Sequence, residues 1–210
     1  MVWTALAAAS LLLGWGTSGS GDEPWKERRY RGRTTYARVG DGAEVVLHAE
    51  TRGQNSALLT RRRIDPRGVV LRWRWRVLAH PAGADPEVRA RDDRAAGVLV
   101  IVHESWIPGR TRALLYQWTP AHPRGAWSRS PYSGRVATLV LEDAPSDSLW
   151  RVEARDLEAD LARAFGRVPA RIAGLGVISD ADNTRGHAAA EFGSLEVLTG
   201  PEARAALAPP

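Results

Sequence analysis

The stretch VVLRWRWRV, residues 69–77, alternates apolar and basic side chains almost without exception. Leu71, Trp73, Trp75 and Val77 fall on one side of the alternation, and the three arginines between them fall on the other. Successive residues of a β-strand point to opposite faces of the sheet. The run therefore predicts a strand with one face in an apolar core and a charged face turned away from it.

The rest of the chain repeats this theme in short apolar runs separated by turn residues such as Gly, Pro, Asp and Asn. Such spacing predicts an all-β fold, an antiparallel two-sheet β-sandwich of the jelly-roll or lectin-like type. Two runs, AAGVLVIV and IAGLGVIS, are apolar on both faces and predict central strands that are covered on both sides. The nine predicted strands are Glu44–Glu50, Ser56–Arg62, Val69–Val77, Ala96–Glu104, Ala113–Trp118, Val136–Glu142, Leu149–Arg155, Ile172–Ser179 and Glu191–Leu198.

One segment, RDLEADLARAFG, has apolar residues at helical spacing and predicts a single short helix near residues 156–166. Asp156 is placed to cap its start and Gly166 to end it. Residues 21–200 are predicted to form one β-sandwich domain, and residues 201–210 a flexible tail.

Residues 1–20 are apolar and end in small polar residues. They are interpreted as a signal peptide or an N-terminal apolar segment, which predicts a periplasmic or secreted protein. Contact with a membrane is expected only through this segment, if it is not cleaved. The chain has no cysteine, which excludes disulfides and thiolate metal sites.

The chain has 29 basic and 24 acidic residues, and Lys26 is its only lysine. A basic balance permits contact with acidic polymers or anionic surfaces. No run of five basic residues and no nucleic-acid motif occurs, so we expect no nucleic-acid partner. A monomer is expected.

The arginines of the opening strand, Arg72, Arg74 and Arg76, should repel one another unless acidic residues lie beside them. Two interpretations stay open at this stage. The arginines form either a solvated, ion-paired ladder or a concave face that recognises anions.

The loop that begins SDADNT has carboxylates at the spacing of a calcium loop, in Asp180 and Asp182. An EF-hand is rejected because Arg185 stands where the turn needs glycine and because strands flank the loop. A looser Ca²⁺ site stays open, with Asn183 and Thr184 adding oxygens. We rank tethering by backbone amides or arginine above a metal, and no cofactor is predicted.

Several motifs, in this order, resemble a bacterial family known as domain of unknown function 3047. They are LRWRWRV, RDDRAAGVLVIV, LLYQW, RDLEADLARAFG and GLGVISDADNTRGHAAAEFGSLEV, within residues 25–198. The resemblance implies an exported bacterial protein with a jelly-roll-like sandwich, and it supplies no activity.

Our first functional hypothesis is a non-catalytic binding module for a glycan or another polar or acidic ligand. The alternative is a cell-envelope polysaccharide-active enzyme, a hydrolase or lyase, with Asp156, Asp180 or Asp182 as acid or base. A second alternative is a structural envelope protein. The candidate ligand-binding residues are Arg72, Arg74, Arg76, Asp92, Asp93, Trp118, Asp156, Asp180, Asp182, Asn183 and Thr184.

Overall fold

A computed structural model describes residues 10–15, 25–40, 45–103 and 111–208. These residues form two seven-stranded sheets packed face to face, with two short helices. The predicted β-sandwich is therefore confirmed. None of the helices in these ranges is long and apolar enough to cross a membrane.

The first sheet contains β1, β3, β4, β6, β11, β13 and β14. Strands β13 and β14 follow one another along one side of β6, and β11 pairs with the other side. The strands span Leu11–Leu13, Thr35–Val39, Val46–Arg52, Val70–Ala79, Arg151–Asp156, His187–Phe192 and Leu195–Leu198, in the same order.

The second sheet has the strand order β2-β5-β12-β7-β8-β10-β9 and contains one parallel pair, β8 with β10. In that spatial order its strands span Lys26–Arg31, Asn55–Ile64, Ile172–Asp180, Arg94–His103, Thr111–Trp118, Ser133–Glu142 and Trp127–Ser130.

The core lies between the two sheets, and the tryptophans of β6 are at its centre. Trp73 and Trp75 are 1% and 0% exposed, which confirms the predicted buried face of the alternating strand. Trp73 lies against Tyr116 of the opposite sheet, with ring centroids 5.4 Å apart, and Trp75 lies against Trp118 at 5.8 Å. Aromatic contacts thus join the two sheets, and such pairs stabilise a fold by more than their buried area alone accounts for.

Helix α1 spans Leu157–Phe165, as predicted. The Asp156 carboxylate accepts a hydrogen bond from the Ala159 amide, and Gly166 ends the helix with a φ of 77°. The buried Asp160 holds the helix against the sheets, because it accepts hydrogen bonds from Tyr116 and Arg155 at 2.8 and 2.9 Å.

Secondary-structure elements occur at both ends of the described chain. Strand β1 lies inside the segment predicted as a signal peptide and pairs with β14, and Trp15 beside it is buried. Helix α2, Gly200–Leu207, occupies most of the predicted flexible tail. Its Ala203 packs against Val70 and Leu198 because the small apolar residues of the tail face the sheet.

Candidate functional site

The arginines of β6 lie on the outer face of the first sheet and are paired. Arg72 Nε lies 3.1 Å from Glu196 Oε2, and Arg76 Nη2 lies 2.6 Å from Glu191 Oε2. Glu191 lies on β13 and Glu196 on β14, and both strands pair with β6. Each glutamate is therefore directly opposite its arginine. This arrangement agrees with the ion-paired ladder.

The remaining arginine of the ladder stacks on a tryptophan. The guanidinium carbons of Arg74 and Arg76 lie 4.7 and 4.8 Å from the ring centroid of Trp150. Cation–π contacts of this kind cover the ring that a ligand would otherwise contact. Each arginine of the ladder therefore has a partner within the chain. The prediction that the ladder forms a concave anion-binding face is wrong.

Two other predicted ligand-binding residues have structural roles instead. Trp118 is fully buried, and its indole Nε1 donates to the Ala144 carbonyl at 2.7 Å. Asp156 caps helix α1. Neither lies with the arginine ladder, so the single binding face predicted from the sequence does not form. The reason is that the face combined residues from both sheets and from a helix end.

The remaining predicted site residues do come together, at one end of the second sheet. The carboxylate oxygens of Asp93, Asp180 and Asp182, which we call the acidic cluster, lie within 4.8 Å of one another. The acidic cluster joins the loop before β7 to the loop after β12. Residues about 90 positions apart in the sequence thus meet.

Asp93 holds the loop after β12 through three hydrogen bonds. Its carboxylate accepts from the amides of Asn183 and Thr184 at 3.0 and 2.7 Å, and from the Thr184 hydroxyl at 2.6 Å. Asp93 is fully buried. A buried carboxylate with three donors acts as a structural tether for the loop.

Arg94 lies between two further carboxylates and is itself buried. Its guanidinium contacts Asp92 Oδ1 directly, and its Nη1 lies 3.5 Å from Asp180 Oδ2. Burial raises the pKa of Asp180 to about 9, since Arg94 only partly offsets it and the nearby Asp182 and Asp93 raise it further. Burial also raises the pKa of Asp92. Asp180 is thus held mainly in its protonated form.

Asp182 completes the acidic cluster with weaker contacts. Asn55 Nδ2 lies 3.4 Å from Asp182 Oδ1, and Arg31 Nη1 lies 3.8 Å from Asp182 Oδ2. A hard cation would need six to eight oxygens around it. Here the loop amides already occupy Asp93, and a guanidinium lies against Asp180. Amides and a guanidinium thus contact two of the three carboxylates, and the ranking of such tethering above a metal stays a prediction.

A groove that the sequence analysis missed runs across the outer face of the second sheet. It encloses about 1570 Å³ and is lined by residues of six neighbouring strands, from β2 to β10. Its floor includes Leu59, Leu99, Ile101, Ala113 and Val136. The run IAGLGVIS, predicted to be covered on both sides, faces the core on one side, and Ala173 and Gly174 at its start line this groove.

Glycine lets strands β5 and β12 lie close together under the groove. A Cβ on Gly176 would be 2.7 Å from the Leu58 carbonyl oxygen and 2.3 Å from Leu59 Cδ2. A Cβ on Gly174 would be 2.8 Å from the Thr60 oxygen. No larger residue fits at these positions without a shift, so GLG in the sequence was a signal for this close packing.

Basic side chains surround the floor of the groove, and we call the whole surface the basic groove. Its lining contains eight basic residues and one carboxylate, that of Glu27. Glu27 accepts from the Ser56 hydroxyl at 3.0 Å and pairs with Arg29 and Arg33, each at 3.2 Å. The basic residues are Lys26, Arg28, Arg61, Arg62, Arg63, Arg112, Arg135 and Arg171.

A family model described as "Protein of unknown function (DUF3047)" matches residues 23–196. The chain belongs to this family. The resemblance predicted from its motifs is therefore confirmed. No curated protein matches the sequence of this DUF3047 member.

Several solved structures are similar to this DUF3047 protein at the level of the fold. The xyloglucanase domain of NopAA from Sinorhizobium fredii is 10% identical, with 88% of this chain and 97% of that chain covered and a TM-score of 0.47. The cellulase MT Cel12A, derived from Rhodothermus marinus, is 12% identical, with 90% and 99% covered and a TM-score of 0.42.

A third similar structure is the glycoside hydrolase domain of Spr0440, Endo-D, from Streptococcus pneumoniae R6. It is 8% identical, 84% of this chain is covered, and the TM-score is 0.43. The DUF3047 chain spans about a fifth of that protein, 22% of its length.

The structure corrects our first functional hypothesis. We expected a non-catalytic binding module whose ligand-binding face contained the arginine ladder and Trp118. That face does not form, since the arginine ladder is paired and Trp118 is buried. The hypothesis is therefore wrong in the form we gave it.

Proposed function

We propose that the protein is a polysaccharide-active enzyme that holds an extended polysaccharide in the basic groove. Because the binding-module hypothesis is wrong in the form we gave it, the polysaccharide-active enzyme is the alternative to test. The observation that carries the proposal is the size and shape of the groove, about 1570 Å³ across six strands. Pockets for small molecules are usually about 300–1000 Å³.

The groove is long enough for several sugar units. Neighbouring strands lie about 4.8 Å apart, so the five intervals from β2 to β10 give about 24 Å. Apolar side chains on the floor, such as Leu99 and Ile101, suit the C–H faces of sugar rings. Polar side chains on the rims suit hydroxyl and acidic groups.

The acids that we predicted for catalysis do not line this groove. Asp156 caps a helix, Asp180 is buried beside Arg94, and Asp182 contacts Asn55. Hydrolysis by two carboxylates needs both at about 5–5.5 Å or 6.5–9.5 Å. In the described lining Glu27 is the one carboxylate. The assay should therefore detect elimination as well as hydrolysis.

The test is to incubate the purified protein with a panel of neutral and acidic polysaccharides. New reducing ends report any cleavage, and ultraviolet absorbance reports the unsaturated product of elimination. We expect at least one polysaccharide to be shortened. Failure to shorten any of them would overturn the proposal.

A groove-filling variant links the activity to this surface. Ala113→Trp places a large side chain on the groove floor, and we expect it to abolish cleavage. Val152→Trp is the matched control, because Val152 is 68% exposed on the first sheet, away from the groove. Thermal melts check that both variants fold. Full activity of Ala113→Trp would place the substrate elsewhere and contradict the proposal.

The protein would encounter an extended polysaccharide outside the cytoplasm. The apolar segment at residues 1–20 predicts export to the periplasm or beyond. Export is part of this proposal, and a fusion to a reporter that is active only after export tests it.

A further inference from the structure

Resting on the proposed function, we infer that the substrate in the basic groove is an acidic polysaccharide, with carboxylate or sulfate groups along its chain. The groove has an excess of seven basic over acidic side chains among its lining residues. The whole chain has 29 basic and 24 acidic residues, an excess of five. The rest of the chain therefore has a net negative formal charge.

This concentration is not explained by the general preference of the chain for arginine. A compositional bias would distribute arginines over all surfaces together with the acids. On the first sheet the arginines do have acidic partners, as Arg72 with Glu196 and Arg76 with Glu191 show. Among the described residues that line the basic groove, eight are basic and one is acidic, so the excess of positive charge there is a property of this surface.

Four of the groove cations have no carboxylate partner in the described ranges. Lys26, Arg61, Arg63 and Arg171 form no salt bridge there, and Arg28 stacks on Tyr30 at 5.5 Å. Like charges held close together repel one another, and that repulsion is relieved when anions bind between them. A polyanion would supply such charges along the groove.

The arrangement suits a polymer rather than a single anion. Lys26 and Arg61 lie on β2 and β5 at one end of the groove, and Arg135 lies on β10 at the other. The floor residues Leu99, Ile101 and Ala113 lie on strands between these two ends. An acidic polysaccharide can place its ring faces on the floor and its anionic groups against both basic ends. Single-stranded nucleic acid would need several stacking aromatic residues, and in the described lining Tyr30 is the one aromatic residue.

The decisive experiment compares two polymers with the same backbone. Polygalacturonate has a carboxylate on each unit, whereas fully methyl-esterified polygalacturonate has lost this charge. We expect affinity for the acidic form to exceed that for the ester by about tenfold or more, since charge-assisted contacts are the stronger ones. Added salt should weaken binding of the acidic form. Equal affinity for the two polymers would overturn the inference.

Two double variants test whether the charged groups of the polymer are recognised in the basic groove. Arg61→Gln with Arg63→Gln should lower affinity for polygalacturonate by about tenfold. The matched control is Arg38→Gln with Arg204→Gln, because both arginines are exposed and lie outside the groove. We expect the control to bind as the unmodified protein does. An equal loss in both double variants would contradict a role for this surface.

The same experiments separate this inference from the proposed function. Cleavage of neutral xylan as fast as any acidic polymer would overturn the inference and leave the enzyme proposal standing. Tight binding of polygalacturonate with no cleavage of any polysaccharide would overturn the enzyme proposal. Dextran sulfate, which has sulfate groups and no carboxylates, distinguishes sulfate from carboxylate recognition when it is used in place of polygalacturonate. Equally tight binding of single-stranded DNA would show that the groove does not select a polysaccharide and would overturn the inference.

Discussion

Arg94 and Asp180 face each other from neighbouring strands of the second sheet, with Arg94 Nη1 and Asp180 Oδ2 3.5 Å apart. Both side chains are almost completely buried. The acidic cluster thus contains a carboxyl group whose charge is strongly opposed by its surroundings. Several measurable consequences depend on this pair and on the elements around it.

The contribution of Asp180 to the stability of the protein should fall as pH rises from about 4 to about 9. The folded pKa of Asp180 is raised to about 9, above its unfolded value of about 3.9. A raised acid pKa contributes stability that is present below the unfolded pKa and lost as pH rises through the folded one. Asp180→Asn should flatten this slope by at most about 1.4 kcal/mol per pH unit.

Urea unfolding of both proteins at several pH values in this window measures that slope. Asp65→Asn is the control, because Asp65 is exposed and lies far from the acidic cluster. Parallel pH profiles for Asp180→Asn and the unmodified protein would contradict the prediction.

Asp93→Ala should destabilise the protein by about 1–3 kcal/mol, because the amides of Asn183 and Thr184 lose their acceptor. Asp182→Ala is the comparison, since its contacts at 3.4 and 3.8 Å are weaker. Chemical unfolding gives both values. A larger loss for Asp182→Ala than for Asp93→Ala would show that the tether has been misassigned.

Treatment with EDTA should leave the thermal transition nearly unmoved, because amides and a guanidinium hold the acidic cluster. Differential scanning calorimetry before and after dialysis against EDTA measures this. A large drop in melting temperature that calcium restores would instead identify the cluster as a metal site.

Trp73→Ala should cost about 3–5 kcal/mol, because it removes an indole that is 1% exposed at the centre of the core. Arg74→Ala, one residue away on the outer face, should cost about 0–1 kcal/mol. Trp73→Phe provides a milder variant if the alanine protein does not fold. Similar losses for Trp73→Phe and Arg74→Ala would mean that the two faces of β6 do not differ as described.

Gly176→Ala should destabilise the protein by about 1–3 kcal/mol, since its Cβ would be 2.7 Å from the Leu58 carbonyl oxygen. Gly134→Ala is the matched control, because a Cβ there would have no heavy atom within 4 Å. Equal melting temperatures for the two variants would contradict the close packing of β5 and β12.

The sequence predicted best what depends on neighbours along the chain. The alternation in β6 identified Trp73 and Trp75 as buried, and the caps at Asp156 and Gly166 identified helix α1. Strand β2 was missed because its KERRYR sequence lies at a sheet edge, is largely exposed and has no apolar alternation.

The basic groove could not be predicted from the sequence for a different reason. Lys26, Arg61 and Arg135 belong to strands that are distant in the sequence and line one groove only because of the strand order of the sheet. Partner choice was missed in the same way. The arginines of β6 were expected to have acidic neighbours, but the pattern could not show that these would be Glu191 and Glu196.

The position of β13 and β14 beside β6 also constrains how the protein is made. Residues 187–198 come after all the other described strands in the sequence. They nevertheless pair with β1, β4 and β6 and so occupy the middle of the first sheet. On a ribosome, β6 would emerge long before the strands that complete its sheet. The two tryptophans of β6 would lack their final packing partners until then. Folding is therefore expected to be slow and dominated by contacts between residues that are distant in the sequence. A growing chain with this topology would need protection from aggregation until residue 198 has been synthesised.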